Sequence, residues 1–142
     1  MRTMRFAAAA LLVTALAGCK KEQPAPPPPP PAAPAAPSIS SLMLGKAIGA
    51  DKRVTAAKDT FALRDTIYVS VATDGTGDNT RVKAVWTFGT ETVRADSQMV
   101  NLAGPAVTEF HISRPRAWPA GAYQVAVSLN DAAARTKDFI VR

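Results

Sequence analysis

Sulfur, imidazole and aromatic rings are all scarce in this sequence. Its 142 residues include one cysteine, one histidine and 6% aromatic side chains. A single thiol excludes an intramolecular disulfide and any multi-cysteine metal site. The lone imidazole, His111, leaves little from which to build a histidine metal centre or a serine–histidine–aspartate site. No HExxH, nucleophile-elbow, P-loop or dinucleotide-glycine motif is present. Apolar runs are short, below the roughly 18 residues that a membrane-spanning helix needs. Concentrated charge is missing too. The formal net charge is +6, but from Ser38 onward 13 Lys/Arg stand against 10 Asp/Glu, or +3. That is mildly basic, not the clustered charge of a nucleic-acid binder. The expectations are no enzyme, no cofactor, no metal, no nucleic-acid partner and no small-molecule substrate.

Proline is abundant but confined. Of 12 prolines in the chain, nine lie between Pro24 and Pro37, six of them consecutive from Pro26 to Pro31. Proline has a fixed φ and no amide donor, so this tract cannot enter a helix or a central strand. It is expected to form polyproline II at about 3.1 Å per residue, a semi-rigid stalk of roughly 43 Å. Before it, Met1 to Arg5 is short and positive, and Phe6 to Ala15 is almost wholly apolar. Small residues then precede Cys19. A charged start, a short apolar core and a small-residue cleavage site mark a secretory signal.

Leu16-Ala17-Gly18-Cys19 resembles the lipobox of bacterial lipoproteins. The resemblance implies cleavage between Gly18 and Cys19, with acyl chains added at Cys19. Each buried methylene contributes about 0.8 kcal/mol, and two or more chains give lasting attachment. Lys20, in place of the aspartate that retains such proteins in the inner membrane of enteric bacteria, points to the outer membrane. The organisation expected is a signal peptide over 1–18, a lipidated N-terminus and linker over 19–37, and a domain over 38–142.

Within the domain the apolar period is two, as in half-buried strands. Ile67, Val69 and Val71 share one face; so do Val82, Ala84, Trp86 and Phe88, then Phe110 and Ile112. Tyr123, Val125, Val127 and Leu129 form the clearest alternation, and Phe139 and Val141 repeat it. Glycine, proline, asparagine and aspartate separate these runs. Seven strands are predicted, at about 41–48, 65–73, 81–88, 92–99, 106–113, 121–130 and 135–142. Part of 50–64 is open to joining an edge strand. Short one-faced strands of this kind indicate an all-β, antiparallel two-sheet sandwich.

Trp86, inside the third predicted strand, and Gly121-Ala-Tyr123-Gln-Val125, opening the sixth, resemble immunoglobulin-like domains. The resemblance implies a buried core Trp86 and a tyrosine corner, in which the Tyr123 hydroxyl returns to an upstream backbone group. Val125 stands where the disulfide cysteine of such domains would be. The fold so implied says little about a ligand.

Three segments are candidates for binding: 74–80, 89–91 and 113–119. Asp74-Gly-Thr-Gly-Asp78-Asn79 has the oxygens a hard cation wants, but its aspartates are four apart and no later glutamate completes a calcium loop. It reads as a flexible loop. Alternation puts His111 on the solvent side of its strand. Arg114-Pro-Arg116-Ala-Trp118 joins two cations to an aromatic ring. Either it holds an anion, such as lipopolysaccharide or a wall polymer, or Trp118 closes the core beneath solvated arginines. Lys52, Arg53 and Lys58 are further positive surface. The function expected is a membrane-anchored, non-catalytic module that binds another envelope protein; the alternative is direct binding of an anionic envelope ligand.

Overall fold

The computed structural model describes residues 33–132 and 134–142. Gly18, Cys19 and most of the proline tract lie outside the described residues. No helix among the described residues is long and apolar enough to cross a membrane.

The described residues form eight strands: β1 (Ser38–Gly45), β2 (Thr60–Phe61), β3 (Ile67–Asp74), β4 (Thr76–Phe88), β5 (Glu91–Ala103), β6 (Ala106–Ile112), β7 (Gly121–Leu129) and β8 (Arg135–Val141). They make a three-stranded sheet, β1-β3-β6, and a five-stranded sheet, β2-β8-β7-β4-β5. Every pairing is antiparallel except β2 with β8, which is parallel. The fold is the expected two-sheet sandwich, with the eighth strand taken from the 50–64 stretch.

Period-two alternation fills the core as the sequence requires. Ile67, Val69, Val71, Val82, Ala84, Trp86, Val125, Val127 and Val141 are fully buried. Trp86 carries the largest of these side chains, and its indole N–H has no hydrogen-bond partner among the described residues. An unmade bond of this kind costs about 1–3 kcal/mol. Burial of the 150–250 Å² of a large aromatic side chain contributes roughly 4–6 kcal/mol. Burial therefore wins, and the position tolerates its orphan donor.

β1 begins and ends three residues before its predicted bounds, and two further boundaries depart from expectation. The segment 74–80 is not a flexible loop: Asp74 ends β3 and Thr76 already begins β4. Between them Gly75 carries the chain from one sheet to the other with φ +95°. A side chain there would also meet the Ala36 carbonyl at 2.4 Å, since residues 35–37 press on this corner and Thr76 N–H donates to Ala35 O at 2.9 Å. The second departure is β5. It runs 13 residues rather than eight, pairs only with β4, and is exposed over most of its length. Its middle core-side positions are Arg94, Asp96 and Gln98, opposite Trp86, Ala84 and Val82, and only Val100 and Leu102 beyond them turn apolar side chains to the core, so the alternation is broken in the middle of the strand.

Both open flanks of the sandwich are closed by side chains that donate to backbone carbonyls of the facing sheet. On one flank Arg135 of β8 donates to Ile39 O and Ser40 O of β1, each at 2.7 Å. Further along β1 the cover is main chain instead: the backbone N–H of Lys58, in the 46–59 connection, donates to Leu44 O at 2.8 Å. On the other flank Gln98 of β5 donates to Glu109 O of β6 at 2.8 Å.

If the ring of Trp86 outweighs its unpaired N–H, the two truncations separate. Trp86→Ala should lose about 3–5 kcal/mol in denaturant unfolding. Trp86→Phe, which keeps an aromatic ring and removes the orphan donor, should lose less than about 1.5 kcal/mol.

Candidate functional site

Strand register gives the sandwich two distinct ends. Ser38, Asp74, Ala103, Ala106, Leu129 and Arg135 mark the end where the linker enters. Gly45, Ile67, Phe88, Glu91, Ile112, Gly121 and Val141 mark the far end. Of the three candidate segments, 89–91 and 113–119 share the far end. The 74–80 segment lies at the linker end.

An aromatic cluster supports the far end. Tyr123 stacks on Phe139 (centroids 5.3 Å, planes 18° apart) and meets Phe88 at 4.6 Å. Trp118 stands edge-on to Tyr123 at 6.0 Å, while Trp86 and Phe61 meet Phe139 edge-on at 5.9 and 5.7 Å. Six of the nine aromatic residues in the chain are thus in one network. The tyrosine corner is present: the Tyr123 hydroxyl donates to Pro119 O at 2.9 Å. Gly121 enters β7 at φ +150° with the Phe88 ring against it, 2.7 Å from where a Cβ would sit. Burial pushes the Tyr123 phenol above its ordinary pKa, and the nearby Arg114 charge opposes that rise.

The 113–119 segment is bolted down by Trp118. Its backbone N–H donates to Leu63 O at 2.7 Å and its indole N–H to Asp65 O at 2.9 Å. Trp118 is only 3% exposed, so of its two sequence readings it takes the one that closes the core. Its buried ring is not a platform on which a ligand can stack. Arg114 lies over that ring, its guanidinium carbon 5.4 Å from the centroid. Arg116 is exposed, and among the described residues it makes no ion pair.

Beneath Trp118, Asp65 is a junction that sequence reading missed. Its carboxylate accepts from Lys46 at 2.8 Å and from the Ala62 N–H at 2.8 Å. Desolvation, the largest single influence, raises its pKa. The Lys46 hydrogen bond, the Ala62 amide and the charges of Lys46 and Lys58 together outweigh it, so the net shift is downward.

A polar recess of about 360 Å³ opens between the start of β5 and the 113–119 segment. Glu91, Arg94, Ser113 and Arg114 line it over a floor that includes Tyr123 and Trp118. Arg94 is already held by Asp96 through two contacts of 2.5 and 3.1 Å, and the hydrogen bonding and charge of Asp96 raise its pKa. Arg114 has no carboxylate within 4 Å among the described residues, which makes it the unpaired one of the two arginines that line this recess. A larger recess, about 540 Å³, lies on the outer face of the five-stranded sheet around Ala122 and the half-exposed Ile140. Its two carboxylates are engaged, Asp138 with Gln124 at 2.8 Å and Asp59 with Lys137 at 3.2 Å.

His111 is exposed on β6, its Nδ1 3.5 Å from Glu109. Among the described residues, no group of three or more His, Cys, Asp or Glu side chains is placed to hold a metal ion. Lys52 and Arg53 lie in the 46–59 connection, where Arg53 faces Asp51 at 3.7 Å.

No protein-family model and no curated protein matches the sequence. Among solved structures, the fold is similar to an immunoglobulin-like protein from Pseudomonas aeruginosa, with TM-score 0.53 and 14% identity. That likeness covers 76% of this chain and 98% of the other. A β-glucosidase from Erythrobacter marinus is similar at TM-score 0.52 and 10% identity, over 75% of this chain and 15% of the enzyme. An alkylpurine DNA glycosylase from Pseudomonas fluorescens is similar at TM-score 0.51 and 18% identity, over 75% of this chain and 30% of the enzyme. The chain thus spans a minor part of either enzyme. At these identities the likeness concerns the fold, which is an immunoglobulin-like β-sandwich.

The lowered pKa of Asp65 fixes the sign of an acid dependence. Its ionised form is favoured in the folded state, so its contribution is complete above the ordinary carboxylate pKa of 3.8 and is lost as pH falls through the lower folded value. Asp65→Asn should therefore reduce stability at neutral pH by about 1 kcal/mol. It should also flatten the acid limb of a plot of unfolding midpoint against pH below about pH 4.

Proposed function

We propose that this chain is a lipid-anchored protein of the bacterial cell envelope, held at Cys19. In this reading residues 1–18 are a cleaved signal peptide, residues 19–37 form the lipidated N-terminus and stalk, and the sandwich is a non-catalytic module that binds another envelope protein. One observation carries the binding role: the linker meets one end of the sandwich, while the 89–91 turn and the 113–119 segment lie together at the other. A stalk that lifts the domain from a membrane presents that far end outward. Trp118, Asp65 and the tyrosine corner hold it rigid, which lowers the entropy lost on binding. Lys20 favours the outer membrane.

A second reading rests on Arg114. A guanidinium that overlies an aromatic ring and has no acidic partner suits a carboxylate or phosphate. In that reading the far end takes an anionic envelope ligand, lipopolysaccharide or a wall polymer, through Arg114 with Arg116 nearby. Trp118 then acts as the support of Arg114.

Two measurements test these readings. Cys19→Ala should abolish lipid labelling and release the protein from the membrane fraction; a variant that stays with membranes would exclude acylation as the anchor. A photoreactive residue at Thr90 or Pro115 should yield a discrete adduct in cells, while one at Asp78, at the linker end, should yield none. Equal adducts from both ends would overturn the assignment of the binding surface. Loss of capture in high salt and in Arg114→Ala would select the anionic ligand over the protein partner.

A further inference from the structure

The four edge strands of the two sheets are not equally protected. Open edges present unpaired backbone groups to any passing strand. The Arg135 side chain and the backbone of Lys58 cover β1, the Gln98 side chain covers β6, and β2 is two residues long. β5 is different. It is the long edge strand whose backbone accepts no side-chain hydrogen bond among the described residues, and it exposes Arg94, Ala95, Ser97, Gln98 and Met99, the last at 62%.

Charges on the core side of an edge strand usually discourage pairing, because an arriving strand leaves them unmatched. On β5 they match themselves. Arg94 and Asp96 sit two apart on one face and already touch at 2.5 Å. Turned antiparallel about Ala95, a second β5 sets its Asp96 opposite Arg94 and its Arg94 opposite Asp96. The four groups then occupy the corners of a square with opposite charges along every side. Directly opposed unlike charges favour a strand pair and like charges oppose it. Parallel pairing in register would set Arg94 against Arg94. An antiparallel register centred on Ser97 would set the two Asp96 side chains diagonally, with Gln98 between them. Ala95 at the axis lets the backbones approach. We infer that two copies of this chain associate through β5, antiparallel and centred on Ala95, joining their five-stranded sheets into one. A two-fold pairing of this kind closes on itself and does not propagate into a filament.

The test uses the purified full chain under mild oxidation, with the unsubstituted chain, whose one cysteine is Cys19, as the blank. Across the axis the paired Cα atoms lie about 4.5–5.5 Å apart, within the span of a disulfide. Ala95→Cys should therefore give a covalent dimer at least fivefold above the blank, and Ser97→Cys much less. In the Ala95→Cys background, Arg94→Asp makes the face wholly acidic and Asp96→Arg makes it wholly basic. Each alone should lose the cross-link, and mixing the two should restore it as a heterodimer. Restoration between chains is not explained by any effect within one chain, nor by the place of Arg94 in the neighbouring recess. Cross-linking from Ala95→Cys no greater than the blank, cross-linking greatest from Ser97→Cys, or a mixture that stays monomeric would each overturn the inference.

Discussion

With few aromatic side chains to spend, the fold gathers six of them into one contact network that ties the five-stranded sheet to the 113–119 segment and fixes the far end. Tyr123 and Phe139 stack in the five-stranded sheet, and Trp86, Phe61, Phe88 and Trp118 are arranged around them. The Tyr123 hydroxyl fixes the approach to β7, and the Trp118 indole fixes the 113–119 segment to the 62–66 connection. Everything proposed for the far end depends on that network. Arg114 has a defined place because Trp118 beneath it has one. The recess keeps its shape because its floor belongs to the core. Removing the Arg114 side chain would leave this support in place, whereas removing that of Trp118 would take it away.

The flanks follow a different physical logic. Near the edge of a sandwich an apolar side chain would be only half covered, and core-side positions of β8 and β5 there carry Arg135 and Gln98. Each spans the gap and satisfies a carbonyl that would otherwise face solvent or recruit a foreign strand. Hydrogen bonds from a charged donor contribute roughly 1.5–3 kcal/mol, and neutral ones about 0.5–1.5 kcal/mol. The β8–β1 flank is thus closed more firmly than the β5–β6 flank. The same asymmetry leaves β5 as the strand with an open side.

Much of this was legible in the residues themselves. Alternation at Ile67–Val71, Val82–Trp86 and Tyr123–Leu129 marked the inner faces, and Gly121-Ala-Tyr123 marked the tyrosine corner, because burial writes a period of two into a strand. β5 was readable only in part: its middle core-side residues, Arg94, Asp96 and Gln98, are polar, and a polar residue at the rim of a sheet carries the same signature as one in solvent. Asp74 to Asn79 has loop composition, but Gly75 provides a sheet-switching corner and β-bulges absorb Asp78 and Asn79. Asp65 and Arg135 had no local signal at all. Their partners lie across the fold, as with Arg135 and Ile39, 96 positions apart, and a contact at that separation leaves no periodicity.

The Gly75 corner also has a mechanical meaning. The segment before Ser38 is wedged there, and β1 runs from that corner to the far end with seven register partners in β3. A pull on the linker, resisted by something held at the far end, acts along the axis of β1. Its ladder is then loaded in shear, all bonds sharing the strain, instead of being peeled open one at a time. Detaching β1 by such a pull would require its seven register pairs to give way together.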